Sequence, residues 1–264
     1  MDVKRIESGA REMLRQHDNK ENLVPLSGEA APVDLDDALA IQECLLRVSC
    51  EERHRVLGGW KIALTTPVMQ ALVGIDHPCP GAVFADTVRS SPVTVRADDY
   101  VRIAVESEIA VRMGADAAPG PQPYDRELIQ AHVATCMPAI EIVDDRNWDY
   151  DRADAKDLVA DNSFNFGCVL GPPVADWHSL DLAALTGRMR INGEVVGEGR
   201  GADVLGHPFE ALAWLANHLH TRGRMLRAGD VVLMGSVVAT KWPGPGDTVQ
   251  TEIDELGTAE LTLA

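Results

Sequence analysis

The sequence contains no run of lysine and arginine, and its 24 basic residues are outnumbered by 41 acidic ones, for a formal net charge of −17. Nucleic acid and anionic membrane are therefore poor partners. A small anionic substrate remains compatible, provided that a local positive charge receives it. No stretch approaches the ~18 apolar residues of a membrane span, and the opening "MDVKRIESGAREML" lacks the apolar segment of a signal peptide. The five cysteines (Cys44, Cys50, Cys79, Cys136 and Cys168) are odd in number, scattered, and form no CxxC pair. They read as reduced thiols of a cytoplasmic protein, which excludes a disulfide frame and a cysteine zinc site. GxSxG, HExxH and Walker motifs are absent, as are internal repeats. The eight histidines lack ligand spacing: His218 and His220 stand two apart on a predicted helix, and His207 precedes a proline. All three read as structural.

What is present is a chain of 264 residues, 45% hydrophobic and 25% charged, long enough for a real core. Residues 1–57 read as a helical segment, because "RIESGAREMLRQ" and "DLDDALAIQECLLRV" carry apolar residues at helical spacing. After Gly58-Gly59 the pattern changes, and residues 58–264 read as a second domain. "WKIALT" alternates as a strand, and Thr66-Pro67 opens a short helix. From about residue 83 strands dominate, among them "YVRIAVESEIAV", "PAIEIV" and "SFNFGCVLG". Asn192-Gly193 predicts a two-residue hairpin turn within "GRMRINGEVVGEG". "DRELIQAHVATC" and "PFEALAWLANHLHTRG" read as inserted helices, the latter offering an apolar face for assembly or for the core. "GEGRG" reads as a turn after the hairpin and not as a nucleotide site. Asp161-Asn162 reads as the start of a turn, and "KWPGPGD" as a tight loop. The fold class expected is α+β and β-rich, not a doubly wound parallel sheet.

Three glutamates carry the chemistry. On a strand, residues two apart share a face, so Glu106 and Glu108 in "VRIAVESEIAV" look the same way with only alanines beside them. Two like charges roughly 6–7 Å apart repel unless water or a cation screens them. Glu141 sits in the same setting in "MPAIEIVDDR". Oxygen ligands suit a hard divalent ion such as Mg²⁺ or Mn²⁺. The alternative is that the pair decorates the wet face of an edge strand. Lys61, beside Ala63 and Thr65, could hold a substrate carboxylate or pass a proton, or could simply face solvent.

Together these stretches resemble the fumarylacetoacetate hydrolase superfamily, and most of all its branch of 2-keto-4-pentenoate hydratases and 4-oxalocrotonate decarboxylases. The resemblance runs from "GGWKIALTT" to the C-terminus and is carried by "KIALTT", "ESEIA", "PAIEIVDDR", "VADNSF" and "NGEVVGEGRGADVLGHPFEALAWLAN". It implies a catalytic domain over residues 58–264 with a β-roll-like core, a homo-oligomer, an Mg²⁺ or Mn²⁺ site at Glu106, Glu108 and Glu141, and Lys61 as the catalytic residue. It also implies substrate-binding positions at Thr66, Cys79, Ser163 and Ser236. The substrate implied is a small anionic 2-oxo acid, hydrated to a 4-hydroxy-2-oxo acid. Decarboxylation, hydrolysis of an acylpyruvate and a silent assembly subunit are the alternatives. Two departures bear on the reaction. Where the branch has P-D-F-G or P-D-Y-G, this chain has "HPCPG", which sets Cys79 in place of an aspartate, with Asp76, three residues earlier, as a weak substitute. Where the branch has N-A-S-S, this chain has "NSFN", which brings Phe164 and Asn165 to the pocket.

Overall fold

Two amphipathic helices open the chain, α1 (Val3–Asp18) and α2 (Leu35–Glu51). The side chains of Asp2 and Asp34 cap them by accepting the amides of Arg5 and Asp37. The structure, a computed structural model, describes residues 1–264. The elements that follow are β1 (Leu57–Ala63), α3 (Pro67–Leu72), β2 (Cys79–Phe84), β3 (Val88–Ser90), β4 (Val93–Val95) and β5 (Ile103–Met113). Next come α4 (Arg126–Gln130), β6 (Val133–Asp144), α5 (Ala155–Ala160), β7 (Asn165–Leu170), β8 (Thr186–Ile191) and β9 (Glu194–Arg200). The chain closes with α6 (Pro208–Thr221), β10 (Val231–Lys241), β11 (Thr248–Ile253) and β12 (Gly257–Leu263). None of the helices is long and apolar enough to cross a membrane.

The strands form two mixed sheets, one of seven strands in the order β2-β1-β10-β5-β6-β7-β3 and one of five in the order β4-β12-β11-β8-β9. β1 runs parallel to β10, β3 to β7 and β4 to β12, while the remaining pairs are antiparallel. The main apolar core is continuous from α1 and α2 through both sheets, taking in Met13, Ile41, Ile109, Ile140, Met189 and Val249. α6 turns Ala211, Leu212, Leu215 and Ala216 into that core, so its apolar face is already covered.

The Asn192-Gly193 turn joins β8 to β9 with φ of 52° and 84°, as its sequence requires. Two sequence expectations need correction. The helix expected over "DRELIQAHVATC" stops at Gln130, and Val133 already begins β6, which pairs with β5 from Met113↔Val133 to Ile103↔Asp144. Backbone pairing along a long central ladder overrides the weak helical periodicity there. "GEGRG" is not a turn: Gly197–Arg200 lie on β9, and only Gly201 leaves it.

Candidate metal centre and active site

β5 and β6 are central strands flanked on both sides, which excludes the edge-strand reading of their glutamates. The pairing register sets Glu106 directly opposite Glu141, and Glu108 opposite Ala139 on the same face. One carboxylate oxygen from each glutamate lies within 4.8 Å of those of the other two. Glu108 and Glu141 are fully buried, and Glu106 is partly so.

The surroundings hold the carboxylates without satisfying them. Thr240 Oγ1 donates to Glu106 Oε1, and Asn165 Nδ2 donates to Glu141 Oε1 at 2.8 Å. The Gly235 amide donates to Glu108 Oε2 at 2.8 Å, from a register shift between β10 and β5 where Gly235 has φ +117°. A side chain there would collide with Thr65, so only glycine lets this bulge aim its N–H at the carboxylate. Glu108 Oε1 and Glu141 Oε2 remain buried with no hydrogen-bond partner. Buried polar atoms are ordinarily paired. Three crowded carboxylates with open oxygens, facing one lysine, therefore fit a hard divalent cation.

Lys61 is buried, with Nζ 3.1 Å from Glu141 Oε1 and donating to the Ser163 carbonyl at 3.2 Å. Its stem passes Gly81 on the paired strand β2, where an added Cβ would meet Lys61 Cγ at 2.8 Å. Burial opposes the charge on Lys61, but the carboxylates of Glu141, Glu106 and Glu108 outweigh it and raise the ammonium pKa. Burial, with repulsion from Glu141 and Glu106, pushes the Glu108 carboxyl well above the usual range. Burial also raises Glu141, against the pull of Lys61 and Asn165. Without a cation, then, Glu108 and Glu141 hold a proton more tightly than free carboxylates do.

The loop that receives Lys61 is strained. Asn162, Ser163 and Phe164 hold φ of 57°, 51° and 58°, three consecutive non-glycine residues in the left-handed region. Asn162 pins the loop by exchanging two side-chain hydrogen bonds with the backbone of Ala82, at 2.7 and 2.8 Å. Ser163 Oγ donates to the Pro80 carbonyl, and Asp161 is gripped by Arg146 at 2.6 Å and by His17. Asp161-Asn162 is thus an anchor as well as a turn.

Above the centre lies a mostly apolar cavity of about 570 Å³, bordered by Lys61, Glu106, Thr66, Ser163 and Ser236. Thr66 also caps α3 by accepting the Met69 amide, and Ser236 Oγ donates to the Val238 carbonyl. Cys79 is buried on β2 and does not border the cavity. Burial pushes its thiol up to about 12, against the pull of Lys61, so it stays protonated at neutral pH. Asp76 is exposed and likewise outside the cavity. The sequence reading did not single out Gly235 and Thr240, which hold the carboxylates, or Trp148, Tyr150 and Trp242, which wall the cavity. A lone glycine inside the apolar run "VVLMGSVV" signals a bulge or close approach and could have revealed Gly235. The tryptophans and tyrosine carry no such signal.

The profile of the family "Fumarylacetoacetate (FAA) hydrolase C-terminal" matches residues 81–264. The chain belongs to the fumarylacetoacetate hydrolase family. Among family relatives, 2-keto-4-pentenoate hydratase 1 of Dechloromonas aromatica (strain RCB) is 36% identical over 248 residues, which cover 92% of this chain and 91% of the relative. The 2-hydroxyhexa-2,4-dienoate hydratase of Comamonas testosteroni is 32% identical over 260 residues, covering 97% and 96%. In three dimensions this fumarylacetoacetate hydrolase family member matches 4-oxalocrotonate decarboxylase from Pseudomonas putida G7, complexed with magnesium and adipate. The TM-score is 0.92 at 25% identity, over 100% of this chain and 99% of the other.

Proposed function

We propose that this chain is a divalent-metal-dependent hydratase that converts 2-hydroxy-2,4-dienoic (2-oxo-4-enoic) acids to 4-hydroxy-2-oxo acids. The observation that carries the reading is the buried carboxylate trio with two unpartnered oxygens, set beside Lys61 at the closed end of an apolar cavity. The hydratase names of relatives matching more than nine-tenths of the chain support the same chemistry. Glu106, Glu108 and Glu141 would hold Mg²⁺ or Mn²⁺, which when bound supplies Lewis acidity toward the carboxylate and 2-oxygen of the acid.

The protein's own groups do the rest. Lys61 Nζ gives a strongly acidic protein the local positive charge that an anionic substrate requires, and it holds or returns a proton as the double bond shifts. Cys79, a protonated buried thiol, takes no part in that transfer. Thr66 and Ser236 offer hydroxyls to the head of the substrate, and Ser163 acts through the carbonyl that steadies Lys61. The apolar wall excludes bulk water, which strengthens every charge interaction inside.

Incubating the protein with Mg²⁺ and 2-hydroxypenta-2,4-dienoate tests the reading. A 4-hydroxy-2-oxo acid that forms with Mg²⁺ and disappears with chelator is the expected result, and no such product overturns it. A second reading, decarboxylation of a 4-oxalocrotonate-type acid, is favoured by the whole-chain match to that decarboxylase and by Cys79. It predicts CO₂ in place of the hydrated acid. Release of pyruvate would identify an acylpyruvate hydrolase, and silence with every acid an assembly subunit. The proposal includes a cytoplasmic homo-oligomer, and light scattering that returns 28.6 kDa at micromolar concentration contradicts assembly.

A further inference from the structure

The cavity above the carboxylates is larger than the head of a 2-oxo acid needs, and its walls differ sharply from its floor. Four rings form one row along it: Phe164 against Trp148 (centroids 5.1 Å apart), Trp148 against Tyr150 (5.1 Å) and Tyr150 against Trp242 (6.2 Å). Each pair meets edge to face, the geometry that aromatic quadrupoles prefer. Exposure grades along the row: Phe164 is 4% and Trp148 5% exposed, Tyr150 is partly buried and Trp242 is 48% exposed. The rings therefore lead from the closed end, where Phe164 follows Ser163, out to the mouth. The chain has only twelve aromatic residues (five Trp, three Tyr, four Phe), and four of them are gathered here.

The polar edges of these rings are turned away from the cavity. Tyr150 Oη and Trp242 Nε1 both donate to Asp145 Oδ2 at 3.0 Å. The same buried carboxylate takes both arms of Arg102, whose guanidinium carbon lies 5.8 Å from the Tyr150 ring centre and 5.6 Å from that of Trp242. Asp145 thus occupies the hydroxyl, the indole N–H and the positive charge together, which leaves ring surface to face the cavity. Lys61 is the only cationic side chain that borders it, and the acids Glu106 and Asp203 also do so. A second carboxylate at the far end of a substrate would meet rings and acids with no cation. An unpaired charge in such surroundings is strongly disfavoured.

We infer that the Phe164–Trp148–Tyr150–Trp242 row is a tail-binding site that selects 2-oxo acids with an apolar, preferably aryl, tail over those ending in a carboxylate. This rests on the proposed function for where the head lies. It adds the class of substrate and names the residues that discriminate. Asp145 is a positioning residue, acting through Tyr150 and Trp242.

The test uses saturated 2-oxo acids, which lack the double bond and so report binding alone. Calorimetric titration with saturating Mg²⁺ compares 4-phenyl-2-oxobutanoate, 2-oxohexanoate and 2-oxoadipate. The phenyl acid should bind at least about tenfold tighter than 2-oxoadipate, with 2-oxohexanoate between them. Trp242→Ala, at the exposed end of the row, should weaken the phenyl acid about fivefold or more and leave 2-oxoadipate unchanged. Leu72→Arg, which adds a cation at the rim, should narrow the gap by tightening 2-oxoadipate. Equal or tighter binding of 2-oxoadipate by the unaltered protein overturns the inference, as does a Trp242→Ala loss shared equally by both acids, or no binding of any of the three. The dienoate assay is separate. The expected ranking in a protein that hydrates no dienoate would sink the proposed function alone, and a reversed ranking in an active hydratase would sink this inference alone.

Discussion

The segment "PAIEIVDDR" carries two kinds of buried acid within five residues, and their surroundings are opposite. Asp144 accepts the amides of Val101, Arg102 and Arg146, while Asp145 accepts Arg102, Asn147, Tyr150 and Trp242. Arg146, fully buried, reaches on to Asp161. These acids tie the end of β6 to the loops around it. Glu141, three residues earlier, keeps one oxygen with no partner, as does Glu108 across the sheet. Asp144 and Asp145 are saturated with donors, whereas the acids of the candidate site are held by one or two donors and left open. The contrast has one blemish: Asp161 Oδ2 and Arg146 Nε also lack partners.

Removing a site acid should break the contrast most visibly. Glu108→Gln is expected to weaken Mn²⁺ binding more than about a hundredfold, beyond the usual loss from outer-shell changes. Turnover should fall by about a thousandfold or more. Its metal-free melting temperature should hold or rise, because a crowded buried charge has been removed. Calorimetry and scanning calorimetry check both halves, and unchanged Mn²⁺ affinity would end the metal assignment. Lys61→Met keeps the aliphatic stem, so metal affinity should change little while turnover drops by about 10² to 10⁴. Near-normal kcat/KM would remove Lys61 from the chemistry.

The acids that tie the fold together should answer in stability. Arg146→Met removes one of the two groups that hold buried Asp161, leaving only His17, and should cost about 3 kcal/mol in urea unfolding, the lower end of the range for breaking a buried ion pair. A neutral result would erase the distinction between the two groups. The smallest effect belongs to Asp157 on α5, whose carboxyl is pushed from 3.8 up to about 6 by burial and by Asp154. The folded state holds this proton more tightly than the unfolded chain does. Stability from it is therefore present below the unfolded value and is lost as pH rises through about 6. Asp157→Asn should gain about 1 kcal/mol at pH 8 relative to about pH 4.5, after allowance for its partial exposure. No pH dependence of that gain would show that the carboxyl is solvated.

The candidate site was legible wherever a local pattern contradicts itself. Glutamates inside the β-branched runs "VRIAVESEIAV" and "PAIEIV" conflict with a buried strand, and that conflict pointed to a centre. Lys61 stood out less, because a lysine on a strand is ordinary until its depth is known. The helix expected over "HVATC" does not form, since pairing between β6 and β5 is not visible in the residues of either strand alone. The aromatic row was invisible for a similar reason: Trp148 and Trp242 are almost a hundred residues apart and meet only through Tyr150.

By itself the sequence determined the two opening helices, the Asn192-Gly193 hairpin, the Thr66-Pro67 helix start and the shared face of Glu106 and Glu108. Each follows from dihedral preference or from the two-residue period of a strand, which act over a few neighbours. Tertiary structure alone decided that β5 is central and not an edge, that Glu141 lies opposite Glu106, and that Gly235 turns its amide to Glu108. It also decided that Asp145 draws the polar edges of Tyr150 and Trp242 out of the cavity. Those outcomes depend on which strands pair and in what register, and on how deeply each charge is buried. Contacts between residues far apart in the chain set both.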